Sequence, residues 1–424
     1  MKILVSHPHG NANTRSAVYG FYEKGLLYRY ITSVAVFSSG LWHFVASLPG
    51  MKMFWRKTYD DKIKASTRCF PYKELGRQLS AKLSLKYFTK HEIGAFCTDK
   101  ECEYIDKKTA IAVLKNPLNI DAVYCYEDVA LHTFRKAKKL GKTCIYDLPI
   151  GHWRAMRVLL DEERKRNPEW AMTIGGFNDS DAKLERKDEE LCLADKIYVA
   201  STFTKKSLDL FPERLADIEV IPYGFPPVNR NRVYTSSHNR KIKALYVGGL
   251  SQRKGISYVF EACEALSKHV ELTVVGKGDV EGCAALKQEI SKVNYISSLS
   301  HDKVLELMAE SDVLLFPSLF EGFGLVITEA MSQGTPVITT DRTCGPDIIT
   351  DGMDGWIVET GSAQPIIKVL NNIISEPAQL MSIGRAAMDT ASKRPWSKYE
   401  AELAESVYNF LNGKLSKTKY IGRR

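Results

Sequence analysis

A chain of 424 residues and 47.7 kDa, 44% hydrophobic and 26% charged, has the length of two or three domains and the apolar content to bury full cores. This composition excludes a disordered, collagen-like or fibrous protein. The net charge of +9 is unevenly placed: residues 51–90 hold eleven Lys/Arg against three acids, and residues 414–424 hold five more, so the remainder is net acidic. Nine cysteines, an odd number with no C-x-x-C pair and no Cys/His spacing of the zinc type, read as reduced thiols of a cytosolic protein without structural zinc.

MKILVSHPHG passes from Lys2 into a four-residue apolar run and then polar loop residues, which predicts a first β-strand and not a secretory signal. A helix over residues 14–30 follows, then TSVAVF as a strand. Residues 30–51 carry no Asp, Glu, Lys or Arg for 22 residues, about the span of a bilayer. His43, Pro49, two glycines and five Ser/Thr in that stretch fit a strand, turn and short helix better than a transmembrane segment. In the basic region, Lys82, Lys86 and Lys90 recur at helical spacing, with Leu79, Leu83, Tyr87 and Phe88 on the other side and Phe54, Trp55 and Tyr59 upstream. The pattern suits an anionic membrane surface or a phosphate-bearing acceptor; no nucleic-acid motif accompanies it. A solvated helix face is the competing reading.

DAVYCY, KTCIYDL, KIYVAS and IEVIPYG continue the strand series, with helices over residues 128–140 and 182–193. Residues 225–241 lose all apolar periodicity and read as a linker. Alternation resumes with KALYVGG, VELTVVG, VNYIS, DVLLFP, TPVITT and GWIVE. The expected division is an N-terminal domain over 1–224, the linker, a second domain over 242–394, and a helix with a basic tail over 395–424. That final segment is amphipathic, with Trp396, Tyr399, Leu403, Val407 and Leu411 on one face. Two successive βα blocks predict an α/β protein of two doubly wound, Rossmann-like, largely parallel sheets facing across a cleft. Ligands in such sheets sit beyond the carboxyl ends of the strands.

The strongest motif is PSLFEGFGLVITEAMSQGTP, residues 317–336, in which Glu321 and Glu329 flank Gly322, Phe323, Gly324 and Leu325. Glycines before a helix admit close backbone approach, and the free N–H groups of the first turn donate to hydroxyls and favour an anion. With a helix starting near Gly324, Glu329 lies about 8 Å along it while Glu321 stays in the loop. The second motif, VGGLSQRKG, follows the first strand of the second block and carries Gly249, Arg253 and Lys254. Cations fixed there would stabilise negative charge on a ligand at the strand end.

These motifs resemble GT-B retaining glycosyltransferases, in particular glycosyltransferase family 4. The resemblance covers nearly the whole chain, but its specific motifs lie in the C-terminal half. It implies transfer of a sugar from a nucleotide diphosphate sugar to an acceptor hydroxyl, with Glu321 at the donor sugar, Glu329 on the ribose hydroxyls, and no metal or other cofactor. Lys254 matches the family lysine. Gly249 stands where the family usually has arginine, a charge that Arg253 would supply. Gly278 in VVGKG and Ser298 at the next strand end resemble nucleotide-side positions, and Asp347 stands where glutamate is commoner.

In the first block, Gly10 in HPHGNANTR would wrap the donor phosphate side or the acceptor; helix capping through Asn13 or Thr14 is the alternative. The loop is not G-x-G-x-x-G, which argues against a dinucleotide oxidoreductase. His152 falls near the position of a family histidine close to the donor sugar, with Asp147 as the competing residue. Asp128 reads equally well as a helix cap. Asp179 and Asp181 form a D-x-D of the kind that holds a divalent metal in the other glycosyltransferase fold, but their setting suits a helix N-cap better. The expected partners are a nucleotide sugar, a glycan or lipid-linked acceptor and an anionic membrane surface met by Lys82, Lys86 and Lys90, at the cytoplasmic face and in polysaccharide assembly. A nucleotide-sugar epimerase or hydrolase, or a two-lobed sugar-binding protein, is the alternative. The resemblance makes the first domain acceptor-side and the second nucleotide-sugar-binding, and the first is also expected to receive the C-terminal helix crossing back to it.

Overall fold

The computed structural model describes residues 1–48, 50–234 and 240–421, with side chains as far as residue 414. Seven strands form the first sheet: β1 (Ile3–Ser6), β2 (Leu27–Thr32), β3 (Thr67–Cys69), β4 (Ala122–Tyr126), β5 (Thr143–Leu148), β6 (Lys196–Val199) and β7 (Ile218–Val220), in the order β3-β2-β1-β4-β5-β6-β7. Six form the second: β8 (Ile242–Val247), β9 (Val270–Val275), β10 (Asn294–Ile296), β11 (Val313–Phe316), β12 (Val337–Thr340) and β13 (Trp356–Val358), in the order β10-β9-β8-β11-β12-β13. Every pairing within both sheets is parallel. Parallel strands are covered on both faces, which is why they read as continuous apolar runs.

The first sheet carries α1 (Ala12–Glu23), α2 (Leu41–Ser47), α3 (Tyr72–Lys82), α4 (Lys86–Thr89), α5 (Thr98–Lys115), α6 (Leu131–Lys139), α7 (Trp153–Arg166), α8 (Asp181–Leu193) and α9 (Thr202–Ser207). The second carries α10 (Ile256–Ala265), α11 (Ala284–Ile290), α12 (His301–Glu310), α13 (Leu325–Ser332), α14 (Gly345–Ile348), α15 (Gln364–Ser375) and α16 (Gln379–Ser392). The last helix, α17 (Trp396–Ile421), returns to the first sheet, as expected. It lies against α1 so closely that a Cβ on Gly20 would stand 2.3 Å from the Glu400 carbonyl oxygen. Tyr198 of β6 and Ser406 of α17 are joined by a 2.8 Å hydrogen bond. The basic side chains expected beyond Lys414 lie outside the described residues.

Two sequence expectations change. The helix expected over residues 14–30 stops at Glu23, because Gly25 adopts a left-handed φ of +71° and Leu26 returns its N–H to the Phe21 carbonyl. LYRYIT therefore becomes β2, and TSVAVF enters the sheet only through Thr32; beyond it Val36 makes an isolated bridge to Thr58. Residues 30–48 then hold a strand end, a turn and α2. No described helix is long and apolar enough to cross a membrane.

The cores do not follow chain order. One apolar cluster joins Phe21 and Tyr124 to Leu403 of α17 and to Leu314 and Phe323 of the second sheet's side. Another places Met156, Leu160 and Trp170, from α7 and the turn after it, among Tyr246, Val259 and Val274 of the second sheet.

Candidate active site between the two sheets

Strand order reverses between β1 and β4 in the first sheet and between β8 and β11 in the second. Doubly wound sheets open a crevice at such a switch point. The two strongest motifs emerge side by side at the second one, because Leu314 of β11 pairs with Leu245 of β8. After β8, Ser251 accepts a hydrogen bond from the Arg253 N–H at 3.2 Å and closes a single turn, residues 252–254. Gly255 follows with φ +69°, and a Cβ there would stand 2.1 Å from the Pro317 carbonyl oxygen. A glycine is thus required both by conformation and by the approach of the two loops. Leu319 N–H donates to the Arg253 carbonyl at 2.9 Å, and Arg253 Nη1 donates to the Phe320 carbonyl at 2.7 Å.

Arg253, Lys254 and Glu321 converge as a result. Arg253 Nη1 is 3.5 Å from Glu321 Oε2, and the Lys254 ammonium lies directly against the same oxygen. Lys254 and Glu321 are only 12% and 13% exposed. Burial, with Arg253 alongside, pushes the Lys254 ammonium down from its ordinary value, and the Glu321 carboxylate opposes that by pairing with it. The arrangement is a partly dry cation pair whose anion comes from the protein itself.

Gly322 and Phe323 carry the loop toward the first domain. A Cβ on Gly322 would meet the Pro149 carbonyl oxygen at 1.9 Å, and the Gly322 carbonyl accepts from Ser201 Oγ at 2.5 Å and Thr204 Oγ1 at 2.9 Å. Phe323 is buried against Tyr223, with ring centroids 4.8 Å apart, and Tyr223 Oη accepts from Asn13 Nδ2 at 3.0 Å. Gly324 starts α13 with φ +91°, Leu325 opens the helix, and Glu329 sits on its second turn. Burial raises the Glu329 carboxyl, and His301 Nδ1, 3.8 Å away, counters this. Gly249 has its nearest neighbour 4.0 Å from a built Cβ, at the Lys277 carbonyl, so the loop is open on that side. Gly278 packs on Leu250, and Ser298 is exposed in the turn after β10.

The first-domain loops complete the crevice. His7 is buried, and its Nδ1 accepts from the His9 and Gly10 N–H groups at 3.1 and 3.0 Å, which folds the loop after β1. Burial drives the His7 imidazole down to about 3, so it stays neutral. Gly10 has φ +60° and faces the Tyr59 and Tyr30 hydroxyls. Asn13 does not cap α1: it reaches Tyr223, and no side chain caps that helix.

His152 is not among the residues brought to the crevice. Its ring is fully buried between Trp153 and Phe211, with Nε2 3.3 Å from Asp188 of α8. A ring with no accessible surface cannot meet a donor sugar in this conformation, which corrects the expectation drawn from its position after β5. Asp147 is likewise buried, accepting from Tyr124 Oη at 2.6 Å. Asp128 does not cap α6. It pairs with Arg186 at 2.6 Å, and Glu190 takes the helix-start N–H groups of Ala130 and Leu131 at 3.2 Å each. Ser180 caps α8, while Asp179 bonds His91 at 2.9 Å and Lys183 at 3.0 Å. Asp347 of α14 accepts the Thr202 N–H at 3.0 Å, a second tie between domains.

Burial raises the Asp147 carboxyl from 3.8 to about 7. Below pH 4 both folded and unfolded chains hold this proton; between pH 4 and 7 only the folded chain does, so stability falls as pH rises through that window. Asp147→Asn should therefore match the parent near pH 4 and gain roughly 2–4 kcal/mol by pH 8. Urea denaturation at both pH values measures this; an equal difference at both would show that Asp147 ionises freely in the fold.

Residues 229–390 match the model of the glycosyl transferases group 1 family. The chain is 27% identical over 185 residues to the amylovoran biosynthesis glycosyltransferase AmsK of Erwinia amylovora, covering 40% of this chain and 45% of that protein. It is 25% identical over 260 residues to the capsular polysaccharide biosynthesis glycosyltransferase CapM of Staphylococcus aureus, covering 56% and 67%. The chain thus spans about half to two thirds of these curated relatives. Among solved structures, sucrose-phosphate synthase of Thermosynechococcus elongatus superposes with a TM-score of 0.64 at 15% identity, over 97% of this chain and 100% of the other. Anabaena HepE, solved with UDP-glucose, superposes at 0.62 and 16% identity over 96% and 100%. Two parallel sheets, each with a switch point, and the motifs at one of them within the stretch that matches the glycosyl transferases group 1 model, give the chain the GT-B fold.

Proposed function

We propose that the protein is a retaining glycosyltransferase that moves a sugar from a nucleotide diphosphate sugar to an acceptor hydroxyl in cell-surface or extracellular polysaccharide assembly. The observation that carries this is the convergence of Arg253, Lys254 and Glu321 at the switch point, with Glu329 one helix turn deeper. Breaking a sugar–phosphate bond leaves charge on the departing diphosphate, and the two cations are fixed where that charge develops. They would fill the role a divalent metal plays in other phosphate chemistry, so the proposed reaction needs none. Glu321 is then freed to meet the donor sugar, while Glu329 holds the ribose. The UDP-glucose complex of HepE and the polysaccharide roles named for AmsK and CapM support a nucleotide-sugar donor and this class of product. Incubation with UDP- and GDP-sugars, with and without lipid-linked glycan acceptors, and NMR of the product anomer tests it. Retained configuration with acceptor is the expected result; free sugar released at the same rate without acceptor would make the protein a hydrolase.

The acceptor side is proposed to work at an anionic membrane surface. The three lysines do not share one helix as the spacing suggested: α3 ends at Lys82, Ser84 turns with φ +55°, and α4 restarts at Lys86. The break spreads Lys82, Lys86 and Lys90 among exposed apolar side chains, including Leu83 and Tyr87, the latter 80% exposed. Lys82 Nζ also comes within 3.4 Å of a Cβ built on Gly50, and α2, earlier in the same stretch of chain, has Leu41 72% and Phe44 64% exposed. Basic and apolar groups mixed on one surface suit lipid headgroups, at about 1 kcal/mol per engaged lysine. Changing Lys82, Lys86 and Lys90 together to Glu should abolish co-sedimentation with phosphatidylglycerol vesicles at low salt and leave donor binding unchanged. Wild-type protein that ignores such vesicles would rule the membrane out.

A further inference from the structure

Glu163, on α7 in the first domain, has a side chain only 4% exposed and takes no part in the chemistry proposed above. Its Oε1 accepts from Gln252 Nε2 at 2.6 Å, from Asn167 Nδ2 at 2.7 Å and from Tyr258 Oη at 2.8 Å; Oε2 lies 2.9 Å from the same tyrosine hydroxyl. Gln252 is fully buried and immediately precedes Arg253. Its other amide atom, Oε1, accepts the Ser257 N–H at 3.1 Å, and its own N–H donates to Thr173 Oγ1 at 2.9 Å. Ser251 Oγ donates to the Thr173 carbonyl at 2.6 Å. The loop that carries Arg253 and Lys254 is thus anchored, residue by residue, to residues 163–173 of the other domain, and the stacking of Trp170 on Phe260 seals the contact.

Buried donors must find acceptors, and this one carboxylate serves three of them; an amide in its place would keep a single acceptor oxygen, lose the charge and turn the other oxygen into a donor. We infer that Glu163 is a positioning residue that holds the diphosphate-binding cations in place from across the domain boundary. The inference rests on the donor reading proposed above and deepens it: the cation loop is set by the first domain, so diphosphate recognition and domain docking form one unit. A displaced Gln252 shifts Arg253 and Lys254 together, because one peptide unit separates the amide from the first cation. Contacts to a single phosphate, ribose and base come from other loops and are moved less.

The test is isothermal titration of UDP, GDP and ADP, each against its monophosphate, with wild type, Glu163→Gln and Tyr258→Phe. For whichever nucleotide binds, the diphosphate-to-monophosphate affinity ratio should fall about 10-fold in Glu163→Gln and about 3-fold in Tyr258→Phe, in line with losing hydrogen bonds to a buried charged group. Monophosphate affinity should stay within about two-fold in both. A purely structural role would weaken both ligands alike. An unchanged ratio in folded variants overturns the inference while leaving the donor reading intact. Should Glu163→Gln fail to fold, Tyr258→Phe, which removes a single hydroxyl, decides the matter. Wild type that binds none of the diphosphates overturns the donor reading, and the inference with it.

Discussion

Replacing Lys254 by alanine is expected to lower turnover by about 10²-fold, close to 3 kcal/mol of lost transition-state stabilisation. The ammonium is 12% exposed, lies 5.0 Å over the Phe316 ring, and has Arg253 beside it. In so dry a place a cation is held only by an anion, and in the donor-free site Glu321 serves. In the proposed transfer the growing charge on the leaving phosphate would take over that role, and the alanine variant would have no fixed cation to meet it. Arg253→Ala should cost less through charge and more through structure, since its guanidinium also holds the Phe320 carbonyl. The measurement is the initial transfer rate at saturating donor, with and without EDTA. A rate that survives Lys254→Ala within three-fold, or one abolished by EDTA and restored by Mn²⁺, would move the chemistry away from these cations.

Much of the second domain was legible in the sequence because its signals are local. Parallel strands buried on both faces announce themselves as apolar runs, and all six runs named there are strands. The Glu321 and Glu329 spacing and the cations after β8 are likewise contained within short windows. The first domain was harder to read. Gly25 ended α1 early and turned the expected helix tail into β2, a decision taken by one left-handed residue. β3, three residues long, has no pattern of its own and exists because β2 offers it an edge.

The site residues that the sequence misjudged were decided by distant partners. His152 sits where a functional histidine belongs in chain order, but Asp188, 36 positions later, and Phe211 draw its ring inward. Helix α6 is capped by Glu190, not by the adjacent Asp128, and no local window contains that pair. The Glu163–Gln252 bond crosses 89 positions. Gly322 alone left a trace, because a glycine inside an apolar loop announces that another backbone comes close; the Pro149 carbonyl is that backbone.

Glu321→Ala and Glu329→Ala are expected to separate transfer from nucleotide binding. Glu329 is on α13, drawn toward its neutral form by burial and facing His301 rather than the cations. If it holds the ribose, its loss removes hydrogen bonds common to every nucleotide donor, and free nucleoside diphosphate should bind about 10-fold more weakly or worse. Glu321 is placed differently, because its carboxylate occupies the two cations that are proposed to bind the diphosphate. On that reading its removal takes away a competitor as well as a sugar contact. Free diphosphate affinity in Glu321→Ala should therefore be undiminished or higher, while transfer falls about 10²-fold. Titration calorimetry with the nucleoside diphosphate, set beside transfer rates for the same variants, reads both effects. Equal loss of diphosphate affinity in the two variants would mean that both carboxylates bind nucleotide and that the pairing of Glu321 with Lys254 persists when donor is bound.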